Sequence, residues 1–388
     1  MTNVFDAIKN YFAAPKPLPP GNYAYQAPPN APFPYRLHLR IEADGSGILI
    51  LNGSTVLHLN QTATEYAYHL VKGNPAEHVG RQIATRYKTS RVKGQRDYEA
   101  FTEQLRTLID TPDLDPVTYL GFDRQTPYTQ ISAPYRLDCA LTYRLPEGVD
   151  KAIAPTESVK RELSADEWKQ IIDKSWQVGI PHLIFTGGEP TLRDDLLDIL
   201  AHAEINGQVT GLLTNGLRLA DSAYFEQLVR TGLDHVMVVI NPDLEQSWRA
   251  LELICPDDLF TAVHLTITPQ NKAETPGLIK RLADMKANGL SLSASESSLA
   301  ADLENARELA ANLGLSLVWD LPVPYSSSNP VSLEIAAGEH TEEHKSEGAG
   351  KAWLYIEPDG DVLPAQGINK VLGNLLTDPW ESIWKQPH

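Results

Sequence analysis

Cysteine is almost absent from this sequence: 388 residues contain two, Cys139 and Cys255. Their unrelated positions exclude a disulfide framework and a zinc ribbon, and they fit a reducing, cytoplasmic setting. Basic residues are also in short supply. Lysine and arginine total 33 against 50 aspartates and glutamates, a formal net charge of −17. A surface of that sign repels phosphate backbones and anionic bilayers, so neither nucleic acid nor a membrane is an expected partner. Long apolar runs are missing too; nothing approaches the roughly 18 residues needed to cross a bilayer. The opening MTNVFDAIKNYF is too polar for a secretory signal. Its Val4, Phe5, Ile8, Tyr11 and Phe12 recur at helical spacing and predict a short amphipathic helix, packed on the body or on a partner.

What is present falls into segments. Residues 1–34 read as that helix and a linker, the proline-rich APKPLPPGNYAYQAPPNAPFP of residues 14–34 being extended and semi-rigid. A small domain follows over residues 35–112. RLHLRIE alternates apolar and polar residues, DGSG is a hairpin turn, and ILILNGSTVLHLN reads as two further strands about an Asn-Gly turn. Thr62–Val71 is helical with Asn60 as N-cap, AEHVGRQIATRY is a second helix and DYEAFTEQLRTLI a third. Three strands followed by three helices predict a winged-helix-like α+β module. Residues 81–96 carry Arg81, Arg86, Lys88, Arg91, Lys93 and Arg96 with no acid. On an acidic chain this is a concentrated positive patch, suited to steering an acidic peptide or contacting phosphate, or else a solvated basic face.

From about residue 130 the chain alternates strand and helix. Strands are expected at 135–143, 181–186, 208–214, 234–240, 261–268, 289–294 and 315–321, separated by amphipathic segments such as ADEWKQIIDKSWQVG and ADLENARELAANLG. A unit of roughly 25–30 residues is what a parallel β/α barrel needs, and such barrels gather functional groups at the C-terminal ends of their strands. Thr186–Gly187–Gly188–Glu189–Pro190 falls at one such end, where glycine admits close backbone approach and Glu189 offers an acceptor for an ammonium group. Thr214–Asn215–Gly216 ends the third strand and Asn241 the fourth.

YRLDCALTYR, at 135–144, and PHLIFTGGEPTLR, from 181, together resemble the first two strands of the radical S-adenosylmethionine (SAM) superfamily. The resemblance covers residues 135–320 and implies a partial (β/α)6 TIM-like barrel over residues 130–322. It also implies that Gly187, Gly188, Glu189 and Pro190 hold the amino group of SAM, with Thr214 and Asn215 near its methionyl and ribose parts. In that family LTYR runs into a C-x3-C-x2-C loop whose thiolates bind a [4Fe–4S] cluster. Here the three positions are Leu145, Val149 and Ala152, which carry no donor lone pair. The C-terminal GAGKAWLYIEPDGDVLPAQGINKVLGNLLTDPWESIW is similar to the end of a SPASM or twitch extension, over residues 323–388, with Ala365 where a cysteine is usual. The small domain, through GILILNGSTVLHLNQTATEYAYHLVKG and the later Asp97 and Phe101–Leu105 helix, resembles PqqD-like recognition modules for leader peptides. These add a peptide as a strand to an exposed sheet edge, here expected at about residues 47–59 with the basic patch beside it.

One rival motif stands apart. His340–Thr341–Glu342–Glu343–His344 fits H-x-x-E-H of zinc hydrolases, but in a Gly/Ser/Glu-rich stretch the histidines read better as loose surface residues. The expected protein is a degenerate radical SAM-type chain, a pseudoenzyme that binds a leader or substrate peptide near a peptide-maturation system. Two alternatives stand beside it: an enzyme still using SAM in the barrel cleft, with or without a cluster, and a structural subunit of an intact radical SAM homologue.

Overall fold

The alternation in RLHLRI and GILIL is realised as the centre of a four-stranded antiparallel sheet. The computed structural model describes residues 15–28, 31, 35–111, 114, 116, 120, 131–156, 159–319, 321–329 and 348–384, and the chain divides into two units, Met1–Thr129 and Gln130–His388. The amphipathic segment expected at the N-terminus and the His340–His344 motif lie outside the described residues.

In the first unit β1 (Gly21–Gln26), β2 (Arg36–Ile41), β3 (Gly47–Leu51) and β4 (Thr55–Leu59) pair in that order. Strand β1 corrects the linker expectation. Six residues of the proline-rich stretch pair with β2, from Gly21 opposite Ile41 to Gln26 opposite Arg36. Its Tyr23 and Tyr25 alternate inward, Tyr23 meeting Tyr68 edge-on with ring centroids 5.0 Å apart. No proline stands inside β1, so every ladder N–H is available. Asn52 and Gly53, at φ 49° and 71°, form the primed turn that matches strand twist, closed by Ser54 N donating to the Leu51 carbonyl at 3.1 Å. Strand β3 is paired on both sides, so of the expected edge at 47–59 only β4 is an edge.

Three helices follow: α1 (Gln61–Val71), capped by the Asn60 side chain on Ala63 N, α2 (Ala76–Arg86) and α3 (Arg91–Asp110). Helix α3 starts six residues before the expected Asp97, because Ser90 caps Lys93 N and RVKGQR forms its first turns. Leu37, Leu39, Leu49 and Leu57 of the sheet pack against Ile83, Phe101 and Leu105, each such burial contributing about 2 kcal/mol.

The second unit is a ten-stranded sheet in the order β11-β10-β9-β8-β7-β6-β5-β12-β13-β14. Strands β5 (Arg136–Thr142), β6 (His182–Gly187), β7 (Val209–Thr214), β8 (His235–Val239), β9 (Phe260–Ile267), β10 (Gly289–Ala294) and the two-residue β11 (Ser316–Leu317) run parallel. Helices α4 (Ala165–Gln177), α5 (Leu196–Asn206), α6 (Ser222–Val229), α7 (Glu245–Ile254), α8 (Thr275–Asp284) and α9 (Ala300–Asn312) connect them. This is the partial barrel of radical SAM type. Leu183, Phe185, Leu212, Val236, Val263 and Leu265 face the helix layer, and the alternate residues Ile184, Leu213, Met237 and Ala262 line the concave side. The expected strand at 315–321 stops at Leu317; its continuation leaves the sheet and packs Val318, Leu321 and Val323 onto that concave lining.

The C-terminal segment, where a SPASM/twitch-like extension is expected, adds β12 (Trp353–Ile356), parallel to β5, then the antiparallel β13 (Asp361–Leu363) and β14 (Gly373–Asn374) and the short α10 (Trp380–Ile383). Its tryptophans serve packing: Trp380 and Trp384 stack at 5.8 Å, their indole N–H groups on the Ser132 and Ile131 carbonyls, and Trp353 lies against Arg136. Among the described residues no helix is long and apolar enough to cross a membrane.

Candidate functional site

The Gly187–Pro190 turn sits where β6 ends, pressed against the end of β5. Gly188 N donates to the Thr142 carbonyl and Glu189 N to the Arg144 carbonyl, both at 2.8 Å. A Cβ on Gly187, whose φ is 127°, would overlap the Thr142 oxygen, and one on Gly188 would overlap that of Arg144. Both glycines are therefore required by backbone packing alone. Pro190 opens a short 3-10 turn to Leu192.

Glu189 is 3% exposed and its carboxylate is held by the protein. Oε1 accepts from Thr191 N at 3.0 Å, Thr191 Oγ1 at 2.5 Å and Thr214 Oγ1 at 2.7 Å; Oε2 accepts from Asn215 N at 2.7 Å. Burial pushes its pKa up, and these four bonds oppose the shift. The side chain thus staples the β6 turn to the β7 turn, bringing Thr214 and Asn215 to Glu189. Asn215 turns its own Oδ1 to Leu217 N, and Asn241 does the same for Asp243 N, so both amides serve local turns.

The loop after β5 is built differently. Leu145 and Val149 are half-buried and Ala152 is exposed. Leu145 joins Ile153 and Val159 against a buried cluster of Tyr143, Tyr325, Tyr355 and Leu363. Tyr143 donates to Glu357 Oε1 at 3.2 Å and meets the Tyr325 ring edge-on at 5.6 Å. A cavity of about 730 Å³ opens beside the loop, lined by Tyr143, Arg144, Leu145, Val149, Arg161 and Glu162. Both arginines already have partners, Glu162 for Arg144 and a two-pronged Glu167 for Arg161. Cys139 faces the helix-side core, its thiol pushed well up by burial, and Cys255 follows α7; neither reaches this loop.

The residues 321–329 lie over the same strand ends. Thr186 Oγ1 donates to the Pro322 carbonyl at 2.8 Å, and Tyr325 N donates to the Gly187 carbonyl at 3.0 Å. Sequence reasoning missed a further group on the concave side. His264 is surrounded by Ser291 Oγ at 3.0 Å, Thr266 Oγ1 at 3.2 Å and Ser293 Oγ at 3.1 Å, and burial lowers its pKa to about 4. The polar alternation H-L-T on β9 opposite S-L-S on β10 was the available signal.

In the first unit the basic patch is divided. Arg86 is half-buried on Glu65, at 2.5 Å, whose side chain is 1% exposed; it belongs to the fold. Arg91 pairs with Glu77, and Arg81, Lys88, Lys93 and Arg96 are exposed.

Residues 139–241 match the model of the radical SAM superfamily. Over these residues the barrel is similar to a radical SAM domain. A PqqA peptide cyclase of Streptomyces rochei is 27% identical over 66% of this chain and 76% of its own length. A probable GTP 3′,8-cyclase of Methanopyrus kandleri is 30% identical over 44% of this chain, and a PqqA peptide cyclase of Granulibacter bethesdensis 34% over 40%. The chain spans 57% and 46% of those two relatives. SuiB of Streptococcus suis, solved with the precursor peptide SuiA, superposes with a TM-score of 0.55 at 13% identity, covering 90% of this chain and 87% of that one. SuiB bound to SAM gives 0.52 at 13% identity over the same shares. At such identity the likeness speaks for the fold.

A radical SAM domain implies SAM and a [4Fe–4S] cluster. The donor set does not fit the cluster. Three thiolates are needed, the chain has two cysteines, and the loop after β5 turns Leu145 into an apolar contact.

Proposed function

We propose that this chain is a non-catalytic, peptide-binding member of a peptide-maturation system, with a radical SAM barrel that does no radical chemistry. Cluster positions 145, 149, 152 and 365 hold Leu, Val, Ala and Ala, so the barrel has no route to reducing SAM. The observation that carries the peptide-binding half is the outer edge of β4. Strands β1 and β4 are the two edges of that sheet, and β4 is the edge that falls within the 47–59 segment, its outer side facing no further strand among the described residues. Such an edge accepts an extended peptide as a further strand, main-chain bonds giving affinity and neighbouring side chains selectivity. Exposed Arg81, Lys88, Arg91, Lys93 and Arg96 in the same unit would favour an acidic peptide and speed its encounter. The named relatives support a peptide partner: two are PqqA peptide cyclases, and SuiB was solved with its precursor peptide.

The test is hydrogen exchange with the PqqA peptide as probe. Binding is expected to slow exchange across Thr55–Leu59, and reversing Arg81, Lys93 and Arg96 to glutamate is expected to weaken it. Binding with no protection of β4 would move the site elsewhere; no binding of this peptide or of SuiA would remove the support drawn from these relatives.

A further inference from the structure

We infer that the mouth of the barrel is closed by the chain's own residues 321–325, which occupy the acceptor and the apolar lining that a SAM molecule would need. This extends the reading of a barrel without cofactor chemistry and is independent of peptide binding.

The segment Leu321–Pro322–Val323–Pro324–Tyr325 is fixed along its length. Besides Thr186 on Pro322 and Tyr325 on Gly187, the Val323 carbonyl accepts from Asn329 Nδ2 at 2.9 Å and from Gln366 Nε2 at 3.0 Å. Two prolines remove two N–H groups that would otherwise need partners there and hold the backbone extended. Leu321 and Val323 fill the concave face over Ile184, Leu213, Met237 and Ala262. Tyr325, 4% exposed, wedges its ring beside Tyr143 and Tyr355, against the apolar loop that stands in the cluster's place.

The consequence for a ligand is chemical. An aminoacyl ammonium group seeks the Gly187 carbonyl and the Glu189 carboxylate. The first already accepts from Tyr325 N, and the second from four donors at 2.5–3.0 Å. Leu145, Val149 and Ala152 supply no thiolate that would hold an iron to chelate the amino acid in compensation. SAM would have to displace a packed, hydrogen-bonded segment before making its first contact.

Two measurements decide it, both on the full-length chain. Hydrogen exchange of the peptide covering 321–329 is expected to show Tyr325 protected like the barrel strands, and Thr186→Val to raise its exchange roughly fivefold while β8 is unchanged. Calorimetric titration of the wild-type protein with SAM is expected to give no heat up to about 1 mM. Exchange of 321–329 at the rate of an unstructured peptide, or micromolar SAM binding by the wild type, would overturn the inference. Neither result bears on the β4 edge, so failure here is distinguishable from failure of the peptide reading.

Discussion

The ends of β5 and β6 are neighbours in one sheet, yet they carry opposite chemistry. At β6 the Gly-Gly-Glu-Pro turn is intact and its carboxylate makes four internal hydrogen bonds. At β5 the following loop is apolar, half-buried and packed on tyrosines. The difference teaches that a motif can persist for the fold's sake. Glu189 joins two strand ends whether or not a ligand comes, whereas a cluster loop has no structural task that leucine and valine cannot perform.

That contrast can be broken or sharpened by experiment. The largest effect is expected from Glu189→Ala, which orphans four buried donors and should cost about 3 kcal/mol, or roughly 8 °C in Tm by calorimetry. A wild-type Tm in this variant would mean that the staple carries no load. Next comes pH. His264 is buried and His235 half-buried, and loss of hydration holds both at about 4, below the ordinary 6.5. The unfolded chain therefore takes up protons first, and stability should fall as pH drops from 6.5 towards 4, by at most about 1.4 kcal/mol per pH unit for each histidine. His264→Asn should flatten that slope in urea titrations at a series of pH values. Thr214→Val removes one donor to Glu189 and the acceptor for Gly216 N, with about 1.5 kcal/mol expected. Smallest should be Ala152→Ser in the opposite loop, within about 0.5 kcal/mol because the residue is exposed. Anaerobic incubation of the wild type with iron and sulfide should leave no iron–sulfur absorption, and a stable brown protein would reinstate the cluster.

The barrel was legible because parallel strands buried on both faces read as continuous apolar runs, LIF before Thr186 and VMVV on β8, each closed by a turn sequence. Strand β1 was hidden by the prolines around it, although Tyr23 and Tyr25 show the period of two. The strand expected at 315–321 is realised only at Ser316–Leu317, since an extended, apolar segment reads the same whether it joins a sheet or crosses one. Pairings between distant segments were out of reach. Arg86 reads in sequence as one of the peptide-binding residues of the basic patch, yet Glu65, 21 positions earlier, holds it from the core, and His264 meets Ser291 from 27 residues away. Residues 187–190, 214 and 215 stand out in the sequence through the family resemblance; that Glu189 accepts from Thr191, Thr214 and Asn215 is visible only in the structure.

The close approach of β5 to β6 has a consequence for how this lineage can change. Any side chain at 187 or 188 strikes a carbonyl oxygen of Thr142 or Arg144, so a substitution there would push the two strand ends apart before it altered any chemistry. The di-glycine is thus demanded by the packing of two strand ends, whatever the barrel binds. The loop between Tyr143 and Ala154 carries no such backbone contact at Gly148, where an added Cβ would meet nothing within 4 Å, so its side chains can be exchanged without moving a strand.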